Sequence, residues 1–319
     1  VTTSPRRRTA GRITAAVAAV ATTALLAACG SSTAASGAPA GASTDTYPTQ
    51  DVVSSIAADP ALKAELPAAV QSSGTLRLGT TLTPGTSGLP HGGQTPDGTN
   101  IGLDVDLRNA VAKVLGVNWQ VENGTFATII PGVQNGKFDV GQDNFGVTKA
   151  REQVVDFATY LNDGQAFLAS NTVTLNSVKD LTDLCGLNVA TTPGSTFQQI
   201  LTTSAAKCAA AGKKPYTMQY FADSGPIFLG LANGKVDVYF GPTLSLKYDA
   251  THVANTKFLS EISTTPVGFV TAKGSPLSKP LSDAVNKLIA TGDYAKIFAK
   301  WGISGSGIPT SQVNPPATL

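Results

Sequence analysis

The sequence predicts an α/β protein built as two similar lobes, each around its own open sheet. Three observations lead there. Short alternating stretches such as Thr75–Thr80, with Leu76 and Leu78 on one face, are interleaved with stretches of helical spacing. The phrase Asn-Gly-Lys-Phe-Asp-Val at Asn135–Val140 returns as Asn-Gly-Lys-Val-Asp-Val at Asn233–Val238, each copy after an apolar helix. Past a low-complexity leader there remain about 230 residues, enough to bury two sizeable cores. Ligands of open α/β sheets gather beyond the carboxyl ends of the strands, so a site is expected at the loops after Val140 and after Phe240.

The first 29 residues read as an export signal of the lipoprotein kind. Arg6, Arg7, Arg8 and Arg12 give a basic start, and Ile13–Ala28 is an apolar run too short and too Ala-rich for a membrane span. Leu26-Ala27-Ala28-Cys29 is a lipobox in which Cys29 would carry the lipid; the alternative is an ordinary secretory signal with an incidental cysteine. Loss of its four arginines leaves 19 basic against 21 acidic residues, so the formal charge of +2 belongs to the leader. No basic stripe suits nucleic acid, and anchoring is expected through lipid. Residues 30–71 read as a flexible tether, with at most a short helix in Asp51–Val70 interrupted at Pro60.

Thr81–Asn100 is a Gly/Pro/Thr-rich loop. Ile101–Leu115 is a helix whose face of Leu103, Leu107, Val111, Val114 and Leu115 reads as core rather than site. Trp119 and Val121 mark the next strand. After Phe138 and Val140, a polar loop Gly141–Gly146 leads to a helix capped by Thr148. Arg151 falls in its first turn, where a cation opposes the helix dipole. A bound carboxylate would resolve that conflict, because free helix amides and a guanidinium fork both suit it. The alternative is a surface pair with Glu152 or Asp156. Pro193–Phe197 turns into another helix start, with Ser195 and Thr196 at its N-terminus. Cys185 and Cys208, the two thiols left in an exported chain, are expected to pair, closing a loop of about 24 residues worth roughly 3 kcal/mol. His91 and His252 stand isolated, so no metal site is expected. Gly92-Gly93 reads as a turn rather than a phosphate cradle, and no cofactor is expected.

The phrases GTLRLG (Gly74–Gly79), GLDVDLRNAVAKVLG (Gly102–Gly116), FATIIPGVQNGKFDV, VTKAREQVVDF and GDYAKIFAKWG (Gly292–Gly302) follow one another in a familiar order. From about Gly74 to Gly302 the chain resembles the bacterial extracellular solute-binding proteins of family 3, the polar amino-acid type that serves ABC importers. The resemblance implies a two-lobed periplasmic-binding-protein-like fold of type II, two doubly wound sheets joined by two crossovers at Tyr160–Ser170 and Phe258–Ala272. Lobe one then comprises 72–163 and 263–303, lobe two 164–262, and 304–319 is a loose tail. Leu175–Leu184 resembles the short helix opening lobe two, and Leu281–Trp301 the closing helical pair. Carried onto this chain, the family pattern makes Arg151 the carboxylate-binding arginine with Thr148 beside it. Asn144 and Gly146 fall at the ligand's polar end, Phe126 packs on the ligand, Ser195 and Thr196 face it across the cleft, and Thr81 lies in the first loop.

Two positions depart from that pattern. The first loop reads Thr80-Thr81-Leu82-Thr83-Pro84, without the family's aromatic wall. Pro242 stands where amino-acid-binding members place the aspartate that holds the ligand's ammonium, so Asp143, Asp163 or Asp223 would have to compensate. The expectation is an extracytoplasmic, lipid-anchored, monomeric receptor and not an enzyme. It would close its lobes on a small carboxylate-bearing solute, an amino acid or related organic acid, for an ABC permease and ATPase. Two rivals share the scaffold. One is an enzyme resembling periplasmic dehydratases that act on carboxylated cyclohexadienyl compounds, which needs a positioned acid or base. The other is a receptor that addresses a membrane sensor.

Overall fold

The computed structural model describes residues 47–319. The expected signal, its Cys29 and the first part of the expected tether lie outside them. The described chain opens with two short helices, α1 (Pro60–Ala64) and α2 (Ala68–Ser73), which correct the expectation of a flexible tether over this stretch. Pro60 does not interrupt a helix but starts one: its missing N–H is no loss at the first position, and Asp59 accepts from Ala61 N and Leu62 N. Ile56 and Leu66 are buried, and Tyr47, Val52 and Val53 pack on the same core.

Strand β1 (Thr75–Thr81) buries Leu76 and Leu78, as the alternation predicts. The loop after it folds a small hairpin of β2 (Gly93–Gln94) and β3 (Asn100–Ile101). There follow α3 (Leu103–Leu115), edge strand β4 (Asn118–Gly124), α4 (Phe126–Gln134), β5 (Val140–Gly141) and the single turn α5 (Lys149–Glu152). The long β6 (Val155–Ser170) leads into a second half. That half holds β7 (Asn188–Thr191), α6 (Thr196–Ser204), α7 (Ala206–Ala210), β8 (Thr217–Tyr220), α8 (Ser224–Asn233), β9 (Val238–Pro242) and α9 (Thr243–His252). The equally long β10 (Thr256–Ala272) returns, and α10 (Ser278–Thr291) and α11 (Asp293–Lys300) complete the first half. Where Leu175–Leu184 suggested a linker helix, only a 3-10 turn forms at Leu181–Leu184.

The strand order is β4-β1-β5-β10-β6-β9-β7-β8. β1 runs parallel to β4 and β5, and β7 runs parallel to β8 and β9. Between the two sets, β10 and β6 lie antiparallel along their whole length. The two doubly wound halves therefore share one antiparallel ribbon, which is both crossovers at once. Each half buries an apolar cluster on either face of its sheet, Leu76 and Phe298 against Phe145 and Phe157 in the first, Leu201 and Phe240 against Ile227 and Leu246 in the second.

The echoed phrase has a shared structural cause. In each copy the asparagine side chain accepts from the lysine amide two residues on, at 3.0 Å in both Asn135 and Asn233. The glycine after it takes a left-handed φ, 76° at Gly136 and 74° at Gly234, which ends the helix. The aspartate then ties the turn to the first strand of its own half: Asp139 accepts from Arg77 N at 2.8 Å, and Asp237 from Asn188 N at 2.7 Å. The same device thus fixes β5 beside β1 and β9 beside β7.

Two further expectations meet the structure here. Cys185 and Cys208 form the expected disulfide, Cα atoms 5.7 Å apart, beside the core of the second half. The tail is not loose: Ser311 Oγ donates to Thr159 O, Asn314 Oδ1 accepts from Phe157 N, and Val313 bridges Ala158. Small polar residues there find backbone partners on β6, which no periodicity could reveal.

Candidate functional site

A cavity of about 500 Å³ lies between the two halves, bordered by the residues that end β1, follow β5 and end β9. That is where open α/β sheets bind ligands. Arg151 borders it. The turn α5 is capped as the sequence predicts, with Thr148 Oγ1 accepting from Arg151 N at 3.1 Å. Two of its other amides are not free, however: Lys149 N donates to Leu319 O and Glu152 N to Thr148 O. Anion binding here rests on the guanidinium rather than on a helix end.

That guanidinium is held in place from three sides. Nη1 donates to Gly146 O at 3.0 Å and Nη2 to Gly194 O at 3.2 Å. Its Cζ lies 5.4 Å from the Phe126 ring centre and 5.6 Å from that of Phe145. The surface pairing is not made; Asp156 bonds Lys273 instead. Among the described residues Arg151 forms no ion pair, and burial lowers its pKa to about 10, with Asp143 at longer range working the other way. A desolvated fork without a contacting anion is what a carboxylate completes.

Thr148 is a correction. It is buried and does not border the cavity, because capping turns its hydroxyl back onto α5. Thr81, Phe126, Asn144, Gly146, Ser195 and Thr196 do border it. Several are already engaged. Thr81 Oγ1 donates to Asp143 Oδ1 at 2.9 Å. Asn144, at φ 51°, a left-handed value that asparagine tolerates, donates Nδ2 to Asp163 Oδ2 at 2.8 Å. Ser195 Oγ accepts from Gln198 N and donates to Thr192 O. Phe126 borders the cavity, as the resemblance implies, and also packs on Phe145 at 4.7 Å between ring centres.

The first loop supplies Leu82, Thr83 and Pro84 where an aromatic wall is missing. It also reaches across the cleft: Ser87 Oγ lies 3.1 Å from Ser224 Oγ, and Ser245 Oγ donates to Gly88 O at 3.3 Å. Together with the bond from Arg151 to Gly194, these contacts join the halves over the cavity.

His91 is not isolated, which corrects the sequence reading. It is buried between two carboxylates, Nε2 2.9 Å from Asp163 Oδ2 and Nδ1 3.5 Å from Asp104 Oδ2. Burial alone would lower its pKa; Asp104 and Asp163 outweigh burial and raise it to about 10, so the ring is an imidazolium. Asp163 further accepts from Asn144 Nδ2, Gly164 N and Leu244 N. Its four acceptor positions are filled, so it has none left for a ligand ammonium. Asp223 is exposed at the cavity rim. Of the three aspartates expected to compensate for Pro242, only Asp143 combines a cavity position with a buried, unpartnered oxygen, Oδ2.

The helix α3, read as a core face, also lends Asp104 and Arg108 to the cavity. Their i,i+4 spacing beside the apolar stripe is the signal that could have found them, although such a pair usually lies on a solvated face. Tyr239 and Asp249 border the cavity too, and no motif announces them.

A family model described as bacterial extracellular solute-binding proteins, family 3, matches residues 83–304. The chain belongs to this family. It is an extracytoplasmic solute-binding protein of an ABC importer. Over 227 residues this solute-binding protein is 28% identical to the arginine-binding protein ArgT of Corynebacterium glutamicum, covering 68% of this chain and 72% of that one. An ancestral arginine-binding protein bound to arginine superposes with a TM-score of 0.63 at 32% identity, covering 72% of this chain and 98% of that one. An ancestral amino acid-binding protein described as a precursor of cyclohexadienyl dehydratase superposes with a TM-score of 0.63 at 27% identity, covering 73% and 97%.

Proposed function

We propose that this solute-binding protein captures an amino acid or a closely related organic acid and holds its carboxylate on Arg151. The observation that carries this is the Arg151 fork itself: half-buried, seated on Phe126 and Phe145, and without an anion in contact. Gly146 in the first half and Gly194, Ser195 and Thr196 in the second surround it, so a bound carboxylate would be gripped from both. Such a ligand favours the joined form over the open one by its extra contacts in the joined form. The permease and ATPase would then take delivery from it. Cys29 would tether the monomer to the membrane by lipid.

We read it as a receptor rather than an enzyme. His91 and Asp163 at the cleft are bonded to each other, so neither is free to move a proton. The relatives named above support the same reading, since they are binding proteins.

The test is a thermal-shift panel of common amino acids, their N-acetyl derivatives and small carboxylic acids. A ligand at 100 times its Kd adds about 2.7 kcal/mol of stability. Arg151→Ala should weaken that ligand by about 2–5 kcal/mol, the usual loss when one partner of a buried charge pair is removed. Binding that survives Arg151→Ala unchanged, or a panel in which nothing carboxylated binds, would reject the assignment.

A further inference from the structure

Among the described residues two carboxyl groups in the cleft form no ion pair, and they come from opposite halves. Asp249 lies on α9, about two helical turns beyond Pro242. It is 1% exposed and borders the cavity. Among the described residues nothing donates to either of its oxygens, and Oδ1 is wholly buried. Asp143 follows β5; its Oδ1 is on Thr81 while Oδ2 is buried and unpartnered. Tyr239, which also borders the cavity, is close enough to feel the charge of both.

The surroundings of the two acids differ. Burial holds the Asp249 carboxyl well above the usual range, with no cation near enough to offset it. Burial also raises Asp143, to about 7; Thr81, His91 and Arg151 pull it down and Asp104 pushes it up. Arg108, on α3, is within electrostatic reach of Asp143 as well. Unpaired buried carboxyls destabilise a fold. A buried carboxyl resists ionisation unless a cation arrives beside it.

We propose that Asp143, Asp249 and the Tyr239 hydroxyl form a cation subsite for a positively charged nitrogen of the solute, ammonium or guanidinium, taking the role for which Pro242 has no group. This rests on the carboxylate reading of Arg151: the solute is then a zwitterion, anion on Arg151 and cation on the acid pair. A cation held by one acid from each half also favours the joined form, as the carboxylate does.

The test is titration calorimetry with four probes that share a carboxylate. L-arginine carries both an α-ammonium and a guanidinium, L-citrulline the α-ammonium alone, deaminated arginine the guanidinium alone, and pentanoate neither. The subsite predicts that at least one singly cationic probe binds about tenfold or more tighter than pentanoate. Whichever does so identifies the nitrogen. Asp143→Asn and Asp249→Asn should each shrink that ratio toward one. Because Asp249 is unpaired without ligand, unliganded Asp249→Asn should melt above the wild type, the reverse of what a structural carboxylate would give.

Cationic and uncharged probes that bind alike, or a ratio that survives both substitutions, would overturn the subsite. If the probes then still depend on Arg151, the carboxylate reading stands alone. If no probe binds, both readings fall.

Discussion

At His91 the direction of the pH response follows from burial and two neighbours. Its pKa is raised from 6.5 to about 10, so the stability it contributes is fully present below the lower value and is lost as pH rises through the upper one. The unliganded chain should therefore lose stability between pH 6.5 and 10 through this residue. His91→Gln should remove that slope. At pH 6 it should also cost about 3–5 kcal/mol, because Asp104 and Asp163 are left buried without their cation. Denaturant titrations of both proteins across that range check this, and parallel slopes would show that His91 is not the cation. Asp143 works in the same sense at lower pH. Its carboxyl is raised from 3.8 to about 7, so its contribution is present below 3.8 and fades toward 7. Asp143→Asn should reduce the slope over that interval, leaving the part that the raised Asp249 carboxyl adds in the same sense.

The elements that the sequence discloses are those with a strong period of their own. α3 and the pair α10 and α11 bury the leucines, Tyr294, Ile297, Phe298 and Trp301 at the spacing that marks them as helices. The repeated turn is legible as a repeat, and its cause is local packing. An added Cβ at Gly132 would lie 2.5 Å from the Phe138 ring, and at Gly230 2.6 Å from Val236 Cγ2. Each helix thus crosses its own turn too closely for any side chain. Gly230→Ala should cost about 1–3 kcal/mol by overpacking, and Val236→Ala in the same chain should recover part of it. Thermal unfolding of the two single variants and the double variant measures this coupling; strict additivity would contradict the close approach. What stays hidden are segments whose order is borrowed. Residues 47–71 are cut by Pro48, Pro60 and Pro67 into pieces too short for a period, the tail after Ser304 has few apolar residues, and both dock on surfaces made by α3, α10 and β6. His91 is the same case at the site: an unremarkable loop sequence sets it between Asp104 and Asp163, which are 13 and 72 residues further along the chain.

For the molecule as a whole, the place where the halves are clasped matters as much as the ligand. Asp163 sits on β6, in the ribbon that both halves share. On one side its carboxylate accepts from His91 Nε2 and Asn144 Nδ2, and on the other from Leu244 N at the start of α9. The first loop, the loop before α5 and the second half therefore converge on a single side chain that the ligand does not need to touch. Asp163→Asn exchanges an acceptor oxygen for a donor NH₂ and must break this set on at least one side. The joined form then loses stabilisation that the open form never had, so its population falls. Apparent affinity falls by the same fraction, since only the joined form grips the carboxylate from both halves. Small-angle scattering of unliganded Asp163→Asn should give a larger radius of gyration than the wild type. A saturating carboxylate ligand should bring the two values together. Equal radii without ligand would mean that the Asp163 clasp does not set the opening equilibrium, and that the contacts of Ser87 with Ser224 and of Arg151 with Gly194 hold the cleft on their own.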